Sequence, residues 1–167
     1  MNEILIIHKN NKTFKNLIES IYSKYFRINE IKNNINWDEI NKLLEKKFKY
    51  IFYITYFKHI KDLSKQEILD IVKINLIIPF FLIDYCLYTK TKILFFIHSF
   101  DNFKYDTLLL FMTNQALKSL VKLSELYFVK IIETNLLTKN ENMLMLIKNI
   151  IEKIMDNDFK SYVKIGV

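Results

Sequence analysis

Three histidines stand where predicted strands end: His8, His59 and His98 each fall at or just past the carboxyl end of a strand. Parallel sheets bind their ligands along this edge, and three imidazoles could bind zinc. Asp101 is close to His98 in sequence and could join them. The spacing matches no local zinc-binding motif, however, so we predict turn histidines and no metal site.

The elements that would position such residues alternate between strands and helices. The predicted strands are Glu3–Ile7, Phe26–Ile28 with an extension to Ile31, Tyr50–Tyr56, Lys92–Ile97, Val129–Glu133 and Tyr162–Ile165. The predicted helices are Thr13–Tyr25, Glu39–Lys47 after an N-cap at Asp38, a helix from the Ser64/Glu67 capping box to Tyr88, Asp106–Phe128 and Asn142–Met155. This alternation predicts an α/β fold, a Rossmann-like doubly wound parallel sheet of about six strands with helices on both faces.

Composition limits the class of protein. A chain of 167 residues, 51% of them apolar, predicts a single globular domain spanning residues 1–167. One glycine and one proline are few, and the excess of Ile, Asn and Lys is typical of an AT-rich coding sequence, which would deplete glycine without any change of function. The single Cys86 excludes an internal disulfide framework and fits a reducing cytosol, so we predict a cytoplasmic protein.

Charge and hydropathy exclude two classes of partner. The net charge is +7, yet the lysines are spread along the chain among Asp and Glu, so we predict no nucleic-acid partner. The apolar run Ile74–Ile83 is interrupted by Asn75 and Pro79. It is shorter than the roughly 20 residues that span a bilayer, so we predict no membrane partner.

Several motifs occur in an order that resembles the short-chain dehydrogenase/reductase family. Asp62-Leu63-Ser64 followed by Ile71–Leu76 is similar to the start of that family's fourth helix, with Asn75 at the active-site asparagine. Ile93–Ser99 resembles the strand that ends in the catalytic serine, with Ser99 in that place. Phe111–Leu123 resembles the Tyr-x-x-x-Lys helix, and Val163–Gly166 the closing strand. The chain is shorter than typical members, which implies that one strand–helix unit near the adenosine half and most of the substrate-binding insertion are missing.

The resemblance implies that two catalytic positions have changed. The family's tyrosine, which passes a proton to or from the substrate oxygen, corresponds to Phe111, and its lysine corresponds to Gln115. A benzene ring cannot act as an acid, and an amide carries no charge. A positioned general acid contributes roughly 10²–10⁴-fold in rate, so this loss should abolish the family reaction. Tyr105 is the nearest phenol but lies outside the motif register. We predict structural roles for the retained Asn75, which bridges backbone groups, and for Ser99, a turn residue.

The cofactor positions have changed as well. The family's glycines, which let the backbone approach a pyrophosphate, correspond to His8, Lys12 and Phe14. Asn10 or Asn11 could still form the turn, but we expect Phe14 to fill the space that the pyrophosphate needs. Lys12 could still attract a phosphate. Glu30 falls where an acid would hold a ribose, and we predict that it faces solvent instead.

These departures predict an inactive relative of the family that binds no cofactor and acts as a structural or regulatory subunit. It would form a homodimer, or pair with an active relative, through Glu67–Tyr88 and Asp106–Phe128, the most apolar helices in the chain. Two alternatives stay open. One is a residual NAD(P)-dependent oxidoreductase, and the other is a small nucleotide- or anion-binding module at Asn10–Thr13.

Overall fold

The described strands lie in one six-stranded sheet of order β2-β1-β3-β4-β5-β6, and every neighbouring pair is parallel. A computed structural model describes residues 3–9, 11–32, 35–56, 64–99, 108–124, 128–156 and 162–165. The strands are β1 Glu3–His8, β2 Arg27–Lys32, β3 Phe48–Ile54, β4 Lys92–His98, β5 Val129–Thr134 and β6 Tyr162–Lys164. The helices are α1 Lys12–Tyr22, α2 Trp37–Leu44, α3 Lys65–Val72, α4 Ile78–Thr89, α5 Leu108–Ser124 and α6 Glu141–Asp156, with a π-helical turn, Lys73–Ile77, joining α3 to α4.

Each face of the sheet is covered by its own layer of helices. Residues of β1 alternate between the two layers: Leu5 and Ile7 pack towards α2, α4 and α5, whereas Ile4 and Ile6 pack towards α1 and α6. Every residue of β4 between its two ends is buried. A strand buried on both faces must be apolar throughout, which explains the unbroken apolar and aromatic runs in the sequence.

The predicted α/β fold with about six parallel strands and helices on both faces is confirmed. The described sheet has no strand outside β2, where a sheet of order 3-2-1-4-5-6 places its outermost one. This agrees with the predicted loss of one strand–helix unit. The predicted N-cap of α2 was wrong. The Asn36 side chain accepts the backbone N–H of Glu39, and Asp38 lies inside the first turn.

The long helix from Lys65 to Thr89 begins at the predicted Ser64/Glu67 capping box. By length and composition alone this helix could cross a membrane, although 44% of its most apolar 18-residue stretch is buried inside the protein. The apolar run Ile74–Ile83 is therefore part of the helix predicted from the capping box to Tyr88, which ends one residue later, at Thr89. Its inner face packs on the sheet through Ile74, Ile78 and Leu82, which is the arrangement of a core helix.

Pro79 explains the π-helical turn in the middle of this helix. A proline has no N–H to donate, and in an α-helix its ring would press on the carbonyl four residues earlier, that of Asn75. A π-turn shifts the bonding by one residue, so the Ile74 carbonyl is the one that faces a missing N–H. The Tyr53 hydroxyl, from β3, donates a hydrogen bond to this carbonyl. Burial raises the pKa of Tyr53, so the hydroxyl stays protonated as a donor.

Replacing Tyr53 with phenylalanine should therefore leave the Ile74 carbonyl buried without a donor. We expect Tyr53→Phe to lower the free energy of unfolding by about 1–3 kcal/mol in urea titrations, the usual cost of an unsatisfied buried group. The matched control is Tyr88→Phe, because Tyr88 is 81% exposed. In a Pro79→Ala background the restored N–H can replace the hydroxyl, so Tyr53→Phe should cost less there. An equal loss in both backgrounds would contradict this account of the turn.

Candidate functional site

The turn after β1 is stabilised by the side chain of Asn11. Its Oδ1 accepts the backbone N–H of Phe14 at 3.2 Å and so caps α1. Its Nδ2 donates to the Leu136 carbonyl at 3.2 Å, which joins this turn to the turn after β5. Its own N–H donates to His8 Nδ1 at 3.2 Å. One asparagine thus organises the loop in which the resembled family uses glycines.

Phe14 does not fill the space next to this turn. Its side chain is fully buried on the sheet side of α1 and meets the Phe96 ring edge-on, with 5.4 Å between ring centroids. The expectation that Phe14 blocks the approach of a pyrophosphate was therefore wrong. Because α1 begins at Lys12, Phe14 falls on the inner face of the helix, and the outer rim of the turn carries other residues.

Beside this turn lies a cavity of ≈ 270 Å³ with a positively charged rim. Its lining comes from the turns after β1, β3 and β5, and consists of Lys9, Asn11, Lys12, Thr13, Thr55, Tyr56, Leu136, Leu137 and Lys139. Within the described part of the chain no carboxylate lines it, and none of the three lysines forms an ion pair. Lys9 Nζ lies 4.5 Å from the centroid of the Tyr56 ring. Three unneutralised ammonium groups around one cavity favour an anionic ligand.

Asn75 fixes the end of β3 beside this cavity. Its Oδ1 accepts the Tyr56 N–H and its Nδ2 donates to the Tyr56 carbonyl, both at 2.8 Å. The side chain is fully buried. The amide therefore bridges buried backbone groups, although these belong to the segment after β3 and not to the helix that carries Asn75.

Unpaired polar atoms collect where β4 and β5 end. Among the described residues, Ser99 Oγ, Asn114 Oδ1 and Thr134 Oγ1 are buried without a hydrogen-bond partner. Asn114 Nδ2 donates to the His98 carbonyl at 3.1 Å, and the Ser99 N–H donates to the Thr134 carbonyl at 2.9 Å. Buried polar atoms are nearly always paired, so unpaired ones point to a bound water or ligand. Ser99 offers a donor and Asn114 an acceptor.

The two changed catalytic positions lie on α5 away from this group. Phe111 is half-buried and Gln115 is exposed, whereas Asn114 is 3% exposed and faces the end of β4. The next lysine along the helix, Lys118, does not replace the missing one, because its Nζ lies 2.5 Å from Glu133 Oε2. The hydroxyl of Tyr162, on β6, also donates to Glu133. Lys118 therefore anchors the last strand.

The histidines serve the turns. Glu30 is exposed, as predicted, and its Oε1 also lies 2.8 Å from His8 Nε2. His98 Nδ1 accepts the Leu136 N–H at 3.2 Å. In the part of the chain that the structure describes, no group of three or more His, Cys, Asp or Glu side chains could hold a metal ion. His59 and Asp101 lie outside the described residues, as do Tyr105, Asn10, Gly166 and the segment Asp62-Leu63.

The helices predicted to form a subunit interface are only partly used by their own sheet. Ile78 and Leu117 are buried against it, whereas Leu110 packs on Ile71 of α3. A groove of ≈ 590 Å³ remains between the long helix and α5, lined by Leu76, Ile77, Phe80, Phe81, Ala116, Ser119 and Leu120. No partner chain is present to show what covers this groove, so the interface stays a prediction.

The sequence did not single out Asn114, Thr134, Lys9 or Lys139. Asn114 had a detectable signal, because it is the one polar residue in the helical series Leu110, Asn114, Leu117 and Val121. Lys9 and Lys139 had none, since they meet only when the turns after β1 and β5 are brought to one edge.

Three solved structures share this fold. dTDP-4-dehydrorhamnose reductase from Bacillus anthracis, crystallised in complex with NADP, superposes with a TM-score of 0.70 at 14% identity, covering 99% of this chain and 75% of that one. The promiscuous reductase LugOII, which catalyses keto-reduction at C1 during lugdunomycin biosynthesis, gives 0.64 at 8% identity over 97% and 83%. ADP-L-glycero-D-manno-heptose-6-epimerase of Helicobacter pylori gives 0.54 at 13% identity over 80% and 55%. No family model and no curated protein sequence matches the chain.

These likenesses confirm, at the level of the fold, the resemblance to the short-chain dehydrogenase/reductase family that the sequence motifs indicated. They also correct the prediction that the chain takes no cofactor, because a reductase with the same fold holds NADP in its crystal. The physical argument for that prediction rested on Phe14, which is turned into the core. The chain therefore has a shortened, reductase-like Rossmann fold with a cationic cavity at its first turn.

Proposed function

We propose that this protein is a reductase-like domain that binds a nicotinamide dinucleotide, NAD(P), at the carboxyl edge of its sheet. The observation that carries the proposal is the cavity beside the β1–α1 turn: among the described residues, its lining has three lysines without an ion pair and no carboxylate. In Rossmann folds the cofactor pyrophosphate lies at this turn and at the N-terminus of the following helix. The NADP-bound reductase with the same fold supports this choice of anion.

The residues present fit two groups of such a ligand, the pyrophosphate in its middle and the nicotinamide carboxamide at one end. Lys9, Lys12 and Lys139 would hold the pyrophosphate by charge. At ≈ 270 Å³ the cavity has room for only part of a dinucleotide, since small-molecule pockets span about 300–1,000 Å³. The unpaired Ser99 Oγ and Asn114 Oδ1 would receive a group with both an acceptor and a donor, as a carboxamide has.

The reaction class follows from the ligand. A bound reduced nicotinamide supplies a hydride for the reduction of a carbonyl group. The protein must then provide a proton to the new alkoxide, and neither Phe111 nor Gln115 can do so.

This deficit favours a second candidate function. The same domain would bind NAD(P) without turning it over, and act as a structural or regulatory subunit. The phenylalanine and glutamine on α5 are the observation that supports it. Binding of the cofactor is common to both candidates, and turnover separates them.

Cofactor binding should depend on the lysines of the cavity. We expect NADPH to bind in titrations followed by its fluorescence, and the double variant Lys12→Met/Lys139→Met to weaken binding about 2- to 30-fold. Each lysine is expected to contribute ~0.2–1 kcal/mol to the binding free energy, as an exposed ion pair does. Binding should also weaken as salt is raised.

The matched control is Lys46→Met, because Lys46 is exposed and does not line the cavity. Its affinity for NADPH should equal that of the wild type. A flat titration with both NADH and NADPH would refute the proposal, and so would an equal loss of affinity in the control.

Restoring the proton donor should raise activity. We expect Phe111→Tyr/Gln115→Lys to increase NADPH-dependent reduction of a carbonyl substrate panel by about 10²–10⁴-fold over the wild type, the usual contribution of a general acid. The control Met112→Tyr/Gln115→Lys keeps the lysine at position 115 and moves the tyrosine one residue out of register on α5. Detectable turnover in the wild type would favour the reductase. Binding without turnover, rescued only by the in-register pair, would favour the inactive subunit.

A further inference from the structure

A second hollow lies at the amino edge of the sheet, where β3 begins and α1 ends. It has a volume of ≈ 500 Å³ and is lined by Ile21, Tyr22, Tyr25, Phe26, Lys49, Tyr50 and Glu152. From Tyr50 to the cationic cavity at Tyr56 the chain runs the length of β3, roughly 20 Å. The hollow is therefore separate from the proposed cofactor site.

The floor of the hollow is aromatic and held in place. The rings of Tyr22, Phe26 and Tyr50 are in mutual contact, with centroid distances of 5.6 to 5.8 Å. The N–H groups of Tyr25 and Phe26 both donate to the Tyr22 carbonyl at 3.0 Å, which fixes the turn after α1. The fourth ring, that of Tyr25, is 75% exposed at the side. Because Tyr22 and Tyr50 are buried, the aromatic surface open to a ligand is that of Phe26 and Tyr25. A flat aromatic group can pack there, since rings prefer centroid separations of about 4.5–7 Å.

The rim of the hollow carries one charge of each sign. Lys49 Nζ lies 5.2 Å from the Phe26 centroid and 5.1 Å from the Tyr50 centroid, close enough for cation–π attraction. Glu152, on α6, is exposed. Neither side chain forms an ion pair with another described residue. A ligand with charge of one sign would be attracted by one of these groups and repelled by the other, whereas a zwitterion can satisfy both.

We propose that this hollow binds a free aromatic amino acid. Its ring packs on Phe26 and Tyr25, its carboxylate pairs with Lys49, and its ammonium group pairs with Glu152. The site does not depend on the NAD(P) proposal. A ligand there would bind at the amino edge of the sheet, whereas the proposed cofactor site is at the carboxyl edge.

The test is a titration of the ¹⁵N-labelled full chain with L-phenylalanine, followed by amide chemical shifts. We expect saturable shifts centred on residues 22–26, 49–50 and 152. 3-Phenylpropionate, which lacks the ammonium group, and phenethylamine, which lacks the carboxylate, should each bind more weakly. Lys49→Met and Glu152→Gln should each reduce the affinity for L-phenylalanine about 2- to 5-fold, as exposed ion pairs do. Tyr25→Ala should reduce it about 3- to 10-fold.

Matched controls use exposed residues outside the lining: Lys46→Met for Lys49, Glu45→Gln for Glu152 and Tyr88→Ala for Tyr25. They should leave the affinity unchanged. The proposal is overturned if no shift saturates, if the shifts centre on the carboxyl edge around Asn11, or if the two single-charge analogues bind as tightly as L-phenylalanine. Since the read-out does not involve a nucleotide, its failure would leave the cofactor proposal untouched.

Discussion

Parallel pairing of all six strands is the constraint on which the rest of the molecule depends. Because every strand runs in the same direction, the turns after β1, β3, β4 and β5 meet at one edge. Both faces of the sheet are covered by helices, so the strand interiors must be apolar. Most polar groups therefore lie at the edges, although Lys130 and Glu133 are buried within β5. The cationic cavity and the unpaired atoms of Ser99 and Asn114 lie together at the carboxyl edge for this topological reason.

The first turn shows how a Rossmann fold can manage without its glycines. Glycine allows backbone amides to approach a phosphate closely, whereas here Asn11 holds the turn through three hydrogen bonds. The positive charge comes from lysine side chains at the rim of the cavity. Attraction by mobile ammonium groups is more strongly screened by salt than attraction by fixed amides in a close-fitting loop. Such a turn gives up geometric fit for charge and is expected to bind a dinucleotide more weakly than a glycine-rich loop would.

The fold could be predicted because each strand and helix is specified by residues close together in the sequence. The site could not be predicted, since it depends on contacts between residues distant in the sequence. Apolar strand runs and the Ser64/Glu67 capping box each specify one element without outside help. Asn36 and Asp38 are both good caps, and only the extended backbone at Asn36 decides between them. The start of α1 was predicted to within one residue, and Phe14 was assigned to the wrong surface because it was matched to a glycine of the resembled family and not to the apolar face of the helix. The carbonyl freed at the π-turn is paired by Tyr53, which lies on strand β3, so the turn could not be predicted from Pro79 alone.

The helix α5 separates binding from chemistry. In a Tyr-x-x-x-Lys pattern the two residues lie four apart, so both project from one face of the helix. Here that face carries the half-buried Phe111 and the exposed Gln115, and the neighbouring face presents Asn114 to the end of β4. An amide can hold a ligand group in place but cannot titrate, so it contributes orientation without proton transfer. The lysines needed for binding lie in and beside the turns after β1 and β5, outside α5. Substitutions on the helix could therefore remove the acid while leaving the anion cavity intact.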